Sequence, residues 1–193
     1  MTKVFVIDSN EGFALLNSTI HEVWAIQYSS TIGKGTRYMP TDCFETFPFP
    51  ETTDNLESIG KQYYTHRQNI METRQEGLTK TYNRFHDPNE TSEDIATLRQ
   101  LHREMDEAVA TAYGWTDLSL DHGFHETKQG LRYTLSETAR EEVLNRLLQL
   151  NFDRYAEEVA QGLHDKKNKK KATSKGKKKQ KGKSSNDEQM GLL

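Results

Sequence analysis

Histidines beside carboxylates are the residues of this sequence whose types would support catalysis or metal binding. The segment DHGFHE at 121–126 places His122 and His125 three residues apart, next to Glu126, and this spacing is compatible with a metal site. A polar loop with two solvated histidines has the same pattern, and we favour that interpretation. A small metal-dependent enzyme built around these three residues is the alternative.

Three other motifs do not support catalysis or phosphate binding. HEVWA at 21–25 begins like the helix of a zinc protease, but Ala25 stands where the second histidine is needed. GKGT at 33–36 lacks both the upstream glycine and the Gly-Lys-Ser/Thr order of a phosphate-binding loop. His86 and Asp87 are adjacent, and adjacent side chains usually point apart, so we expect a structural loop there.

Cys43 is the single cysteine of the chain, which excludes a disulfide framework and a cysteine-based metal cluster. It has no nearby histidine and is surrounded by aromatic residues, so we predict a small buried side chain rather than a nucleophile. These observations predict no complete active site, no metal and no cofactor in this chain.

Charge is distributed very unevenly along the 193 residues. Residues 1–165 hold 15 basic and 27 acidic side chains, whereas residues 166–183 carry eleven lysines. An acidic body repels DNA unless its basic side chains cluster on one face, and the lysine run would attract DNA without sequence preference. No apolar run approaches the roughly 20 residues that span a bilayer, and no signal peptide is evident. We therefore expect a cytoplasmic protein with no membrane partner.

The elements that must position these residues are mainly helical, with a small β portion. KVFVI at 3–7 predicts a strand, and Asp8, Ser9 or Asn10 would cap the following helix. Apolar residues then recur at helical spacing in four segments, which predict four amphipathic helices over 13–27, 54–77, 91–112 and 134–150. Capping boxes are predicted at Thr91 with Asp94 and at Thr134 with Glu137.

Three segments between these helices are predicted to be irregular. SSTIGKGTRY at 29–38 predicts a loop or hairpin, and LTKTYNRFHDPN at 78–89 predicts a polar–aromatic loop. TRYMPTDCFETFPFP at 36–50 is called the strap here. It holds three prolines and three phenylalanines, so we expect it to run extended and to be anchored by its phenylalanines.

The strings HEVWAIQYSSTIGKGTRYMPTDCFETFPFPE, EGLTKTYNRFHDP and LRQLHREMDEAVATAYGW together resemble one protein family. They are similar to the C-terminal part of large adenine-N6 DNA methyltransferases of Type IIL and IIG restriction-modification and phage-defence systems. The likeness runs from about residue 4 to about residue 158. The Asn-Pro-Pro-Tyr methylation motif and the glycine-rich S-adenosylmethionine motif of that family are absent from this sequence.

The resemblance implies a separated or truncated C-terminal part that is not catalytic alone. Residues 1–50 would be the end of a target-recognition domain, 51–164 a helical segment, and 165–193 a disordered lysine-rich tail. S-adenosylmethionine would be bound by a catalytic partner chain or a missing domain. The implied partners are double-stranded DNA and that catalytic chain or domain.

Two polar segments are the candidate DNA contacts, because hydroxyls, lysine and arginine bind phosphates and arginine also reads guanine. They supply Ser30, Thr31, Lys34, Thr36, Arg37 and Tyr38 from the first, and Lys80, Asn83 and Arg84 from the second. A solvated hairpin, and a loop folded against the missing catalytic domain, are the respective alternatives.

The chain ends in an apolar cluster on a long polar tether. Gln189, Met190, Leu192 and Leu193 resemble the peptide with which bacterial proteins dock on the replication sliding clamp, with a leucine in place of the usual final aromatic residue. This pattern predicts peptide-in-groove capture. The alternative function is therefore a non-catalytic interaction module that its tail tethers to DNA or to the clamp.

Overall fold

The computed structural model describes residues 8–32 and 35–163, and this part of the chain is mainly helical. Its α-helices are α1 (Asn10–Asn17), α2 (Thr19–Tyr28), α3 (Glu57–Arg74), α4 (Leu78–Phe85), α5 (Glu93–Ala112) and α6 (Glu137–Ala160). Its strands form two antiparallel hairpins, β1 (Ser30–Ile32) with β2 (Gly35–Arg37), and β3 (Gly123–Thr127) with β4 (Gly130–Thr134). The predicted fold class is confirmed. The predicted strand at 3–7 and the tail lie outside the described residues.

The chain divides into two units, residues 1–149 and residues 150–193. In the first unit, one hydrophobic cluster contains Trp24, Phe47 and Leu98, each of them buried. Residues on both sides of the boundary expected at residue 50 thus contribute to one core. No described helix is long and apolar enough to cross a membrane.

The described part of the second unit contains the last turns of α6. Three apolar side chains of α6 are exposed there at helical spacing, Phe152, Tyr155 and Val159, and Leu163 is exposed after the helix ends. Gly162 has a φ of 71°, and its N–H bonds to the carbonyl of Val159 as the helix ends. A residue without a Cβ adopts this left-handed conformation at the least cost.

The first predicted helix is two helices, because Ser18 interrupts it. Its backbone is extended, with φ −70° and ψ 153°, and its hydroxyl donates to the Leu15 carbonyl at 2.7 Å. The same hydroxyl accepts from the His21 N–H at 3.3 Å, so Ser18 caps α2. Ser9 caps α1 by accepting from the Gly12 N–H, as predicted for one of three candidates.

The predicted loop at 78–89 is wrong over its first eight residues, which form α4. Thr81 and Phe85 lie one turn apart and are both buried, whereas Leu78, Lys80 and Asn83 are exposed. Burying one face of a short segment stabilises a helix that its polar composition alone does not indicate.

Both predicted capping boxes are also wrong. Asp94 accepts two hydrogen bonds from the Arg74 guanidinium, each 2.7 Å long, instead of capping with Thr91. These bonds connect the end of α3 to the start of α5 and lower the pKa of Asp94. At α6, the Ser136 hydroxyl accepts the Ala139 N–H, while Thr134 is buried at the end of β4.

The contact between α1 and α3 depends on Gly60. A Cβ at this position would overlap the carbonyl oxygen of Asn10 and lie 3.2 Å from the Ala14 Cβ. We expect Gly60→Ala to lower the free energy of unfolding by about 1–3 kcal/mol, because the two helices must move apart. Urea unfolding measures this loss. Gly77→Ala is the control, since a Cβ there has no neighbour within 4 Å; equal stability of the two variants would contradict the prediction.

Candidate functional site

The sequence predicted a fully extended strap. This is wrong in part, because the strap contains one π-helical turn. This turn covers Pro40–Phe44, and the Glu45 N–H donates to the Pro40 carbonyl at 2.9 Å. Proline is accepted at the first position of a helical turn, since its missing N–H would have no partner there. The prolines at 48 and 50 lie in the irregular part that follows.

The strap is anchored through its aromatic side chains to α2 and to the end of α5. Phe47 is 4% exposed and packs edge-on against His21, with a ring-centroid distance of 4.6 Å. Phe49 contacts Phe47 with a centroid distance of 5.1 Å. The hydroxyl of Tyr113 donates to the Pro48 carbonyl at 3.0 Å. The strap therefore holds α2 and α5 together at this point.

Cys43 of the strap is completely buried, which confirms the prediction of a small buried side chain. Its thiol donates to the Ala25 carbonyl at 3.8 Å and lies 3.5 Å from the Ser29 hydroxyl. Both partners belong to the last turn of α2 and its end. This position serves packing, since no reagent from solvent reaches the sulfur.

The first candidate DNA segment forms the hairpin β1–β2. Ser30 pairs with Arg37 and Thr31 with Thr36, so the backbone of four candidates lies in one short ribbon. The side chains of Ser30 and Arg37 are exposed. Lys34 lies outside the described residues.

Tyr38, in contrast, contacts the body of the protein. Its hydroxyl lies 3.1 Å from Nε2 of His21, and burial raises its pKa to about 12. Burial also lowers the pKa of His21 to about 4, so His21 is neutral near pH 7. Tyr38 thus fixes the base of the hairpin on α2.

The second candidate segment lies on α4. Lys80 and Asn83 are exposed. The Arg84 guanidinium is held by Glu76 at 3.2 Å and Glu90 at 2.8 Å. A phosphate would have to compete with these two carboxylates, so Arg84 braces the helix more readily than it contacts DNA.

A cleft of about 730 Å³ borders the second candidate segment and the end of α2 that leads into the first. Gln27, near the end of α2 that leads into the hairpin, lines it together with Asn83 of α4. One face of each of three helices lines this space, and alternate residues of β4 complete it. The residues are Thr19, Glu22, Val23 and Ile26 of α2, Thr79, Tyr82 and Asn83 of α4 with the following His86, Glu137, Arg140, Glu141 and Leu144 of α6, and Arg132 and Thr134 of β4. The helix that leads into the hairpin and α4 therefore line one cavity, which neither candidate segment indicates alone.

Asp106 is the centre of a buried polar network behind this cleft. Its carboxylate accepts the N–H of Thr19 at 2.7 Å and lies 2.9 Å from Nε2 of His122. His102 lies 3.6 Å from the same carboxylate and 2.9 Å from the Thr19 hydroxyl. The other nitrogen of His102 lies 3.3 Å from the Tyr63 hydroxyl. The network joins α2, α3, α5 and the segment before β3.

The environment of Asp106 favours its charged form. Burial opposes ionisation, but the neighbouring His102 and the hydrogen bonds from His122 and Thr19 together lower the pKa of Asp106. Thr19 is the first residue of α2, so the carboxylate also lies at the positive end of that helix. Burial lowers the pKa of His102, although the neighbouring Asp106 opposes this shift. A charged Asp106 accepting several hydrogen bonds fixes the start of α2.

Sequence analysis did not identify Asp106 or His102 as functional or structural centres. The pattern that would have indicated them is their spacing: both lie one turn apart within the apolar stripe of α5, between Leu98 and Val109. Two polar residues on a buried helix face need partners, and those partners are far away in sequence.

The histidines proposed as metal ligands are separated by their hydrogen bonds. His122 bonds to Asp106, whereas Nε2 of His125 lies 2.9 Å from the carbonyl of Asp121. The polar loop expected there is also wrong in part, because residues 123–127 form β3 and the His122 side chain is 2% exposed. In the described residues, no group of three His, Cys, Asp or Glu could hold a metal ion.

His86 and Asp87 make separate structural contacts. Nδ1 of His86 accepts the Tyr133 N–H at 3.3 Å, and the carboxylate of Asp87 accepts the Asn89 N–H at 2.9 Å. These contacts agree with the structural loop expected there.

The residues proposed to dock on the sliding clamp, Gln189, Met190, Leu192 and Leu193, lie outside the described part of the chain. Comparison with protein-family models, curated proteins and solved structures finds no match to this chain.

Proposed function

We propose that this chain is the C-terminal DNA-recognition and support part of an adenine-N6 site-specific DNA methyltransferase of a restriction-modification or phage-defence system. It would act in the cytoplasm, at the nucleoid, with a catalytic chain or domain that binds S-adenosylmethionine. The sequence strings that resemble this family supply the proposal. The observation that carries it is the hairpin β1–β2, which presents exposed Ser30 and Arg37 on a base fixed by the strap.

A rigid base matters because contacts to DNA specify a sequence only when their donors are held in place. Tyr38 bonds to His21 after the hairpin, and the thiol of Cys43 contacts the last turn of α2 before it. Arg37 forms no ion pair within the described residues, so its guanidinium is available to phosphate or guanine. Lys34, which lies outside the described residues, would add a second cation.

The acidic body limits where DNA can approach. Residues 1–165 carry a net charge of −12, which repels phosphates from most of the surface. Binding then depends on local basic groups, which the hairpin and the lysine run supply. Phosphate contacts of this type release counterions, so they can be counted from the salt dependence of affinity.

We expect Lys34→Ala combined with Arg37→Ala to weaken DNA binding and to lower its salt slope by at most about two units. Arg37→Ala alone should lower the slope by about one unit. Fluorescence anisotropy with duplex DNA over a range of salt concentrations measures both quantities. The matched control is Lys61→Ala, which removes an exposed lysine from α3. Unchanged affinity and slope in the double variant would refute the DNA-contact role of the hairpin.

The alternative function gives the opposite pattern. Exposed Phe152 and Tyr155 on α6 favour a protein-interaction module. For such a module tethered by its tail, DNA or sliding-clamp binding would survive the hairpin changes and be lost when residues 166–193 are deleted. Co-purification from the native host tests the catalytic partner: recovery of a larger protein containing Asn-Pro-Pro-Tyr supports the methyltransferase proposal.

A further inference from the structure

The cleft contains opposite charges that do not pair with each other. Glu22 of α2 lines it together with Arg132 of β4 and Arg140 of α6. No ion pair joins Glu22 to either arginine in the described part of the chain, although both positive charges act on its carboxyl group. The cleft thus separates the Glu22 carboxylate from the two guanidinium groups that could form an ion pair with it.

Arg132 has an unsatisfied donor. Its Nε is inaccessible to solvent and has no hydrogen-bond partner among the described residues. The strand pairing of Arg132 with His125 places it in the middle of β4. A buried donor without a partner costs free energy, and a ligand that reorients the guanidinium into a bidentate contact would recover part of it.

Glu22 as a whole is exposed to the open cleft, but many protein atoms lie around its carboxyl group. Burial, followed by the charge of Asp106, raises the pKa of Glu22. A cation beside its carboxylate would offset both effects. Arg132 and Arg140 offset only part of them. Arg140 makes no ion pair with Glu22, and its guanidinium donates a long bond of 3.5 Å to the carbonyl of Glu126.

Apolar side chains complete the same cavity. Val23, Ile26 and Leu144 line it, and Ile26 is 49% exposed although it lies in a concave surface. An apolar group placed against these side chains would remove them from water. The volume of about 730 Å³ suits a small molecule, since ligand pockets fall within about 300–1,000 Å³.

We infer that this cleft binds a small zwitterion, in which an amino group and a carboxylate are carried by a short apolar body. The carboxylate would contact Arg132, the ammonium would contact Glu22, and the apolar body would cover Ile26. An anion without the ammonium would leave Glu22 unpaired beside it, and a cation without the carboxylate would leave Arg132 unpaired. The inference is independent of the proposed DNA contacts.

The test uses three compounds that differ only in charge: L-phenylalanine, 3-phenylpropionate and 2-phenylethylamine. Each is titrated to millimolar concentrations into the ¹⁵N-labelled full chain, and amide shifts are followed by NMR. L-phenylalanine should shift amides of α2, β4 and the first turns of α6. Its affinity should exceed that of either singly charged compound by about tenfold, the size of one lost charged hydrogen bond.

Two variants test which side chain contacts each charged group of the ligand. Arg132→Gln should abolish the preference for L-phenylalanine over 2-phenylethylamine, and Glu22→Gln should abolish its preference over 3-phenylpropionate. Arg103→Gln, on an exposed residue of α5, should leave both preferences unchanged.

Equal affinities for the three compounds, shifts outside the cleft, or no shifts at all would overturn the inference. The salt slope of DNA binding should be the same in Arg132→Gln as in the unmodified chain, so failure here leaves the proposed function untouched.

Discussion

Replacing Asp106 by alanine should lower the free energy of unfolding by about 3–5 kcal/mol, the typical cost of removing one member of a buried ionic network. The loss is large because the Thr19 N–H and the His122 ring would both be left without their acceptor in the core. The side chain of Asp106 is completely buried, so water cannot replace the lost bonds without opening the fold. Urea unfolding monitored by circular dichroism measures the change.

Glu107→Ala is the matched control for this experiment. Glu107 is the next residue of α5, is exposed, and forms a surface ion pair of 3.9 Å with Arg103. Its removal should change stability by no more than about 0.5 kcal/mol. Asp106→Asn should fall between the two, because the amide oxygen can still accept the Thr19 N–H. A loss in Asp106→Ala no larger than in Glu107→Ala would show that the network does not support the fold.

Acidification from pH 6.5 to pH 4 should also destabilise the protein strongly. Burial lowers the pKa of His21 and His86 to about 4 and lowers that of His102. In the unfolded chain these histidines bind protons near pH 6.5. The unfolded state then holds more protons, so stability falls with decreasing pH, by at most about 1.4 kcal/mol per pH unit for each histidine. Glu22 opposes this trend with one proton, since its pKa is raised.

His21→Phe measures the contribution of one histidine to this pH dependence of stability. His21 is buried, its Nδ1 has no partner in the described residues, and its ring packs edge-on against Phe47. Phenylalanine keeps that packing and removes the proton. Urea unfolding at a series of pH values between 7 and 5 should therefore give a smaller slope in the variant, with the difference growing to about 1.4 kcal/mol per pH unit near pH 5. If the slope does not change, His21 is not among the groups responsible.

Both experiments concern the start of α2, where Asp106 bonds to Thr19 and His21 contacts the strap. Asp106 holds the first residue of α2, whereas the strap contacts the last turn through Cys43 and the middle of the helix through Phe47. The hairpin proposed to contact DNA begins two residues after α2 ends. Loss of either anchor would move this hairpin relative to the body, which gives the network and the strap a shared role in positioning it.

Elements with local causes were predictable from the sequence. The apolar spacing in α3 and α5 predicted both helices, because one turn of helix repeats every 3.6 residues whatever the rest of the fold does. The hairpin at 29–38 followed from glycines between β-forming residues. Cys43 was predicted to be buried because aromatic residues surround it in the chain. The separation of an acidic body from a basic tail is visible directly in the order of charged residues along the chain.

The tertiary structure decided what depends on distant residues. α4 forms because the core accepts Thr81 and Phe85, and the strap turns at Pro40–Phe44 because its phenylalanines have a surface of α2 to bury against. Asp106 meets Thr19 across 87 positions of sequence, and the cleft is built from three helices and a hairpin. A periodic pattern specifies which face of a helix is apolar, but not which buried polar groups of other elements it will meet. Those partners are set by packing, because each buried donor and acceptor must find one wherever the chain brings them together.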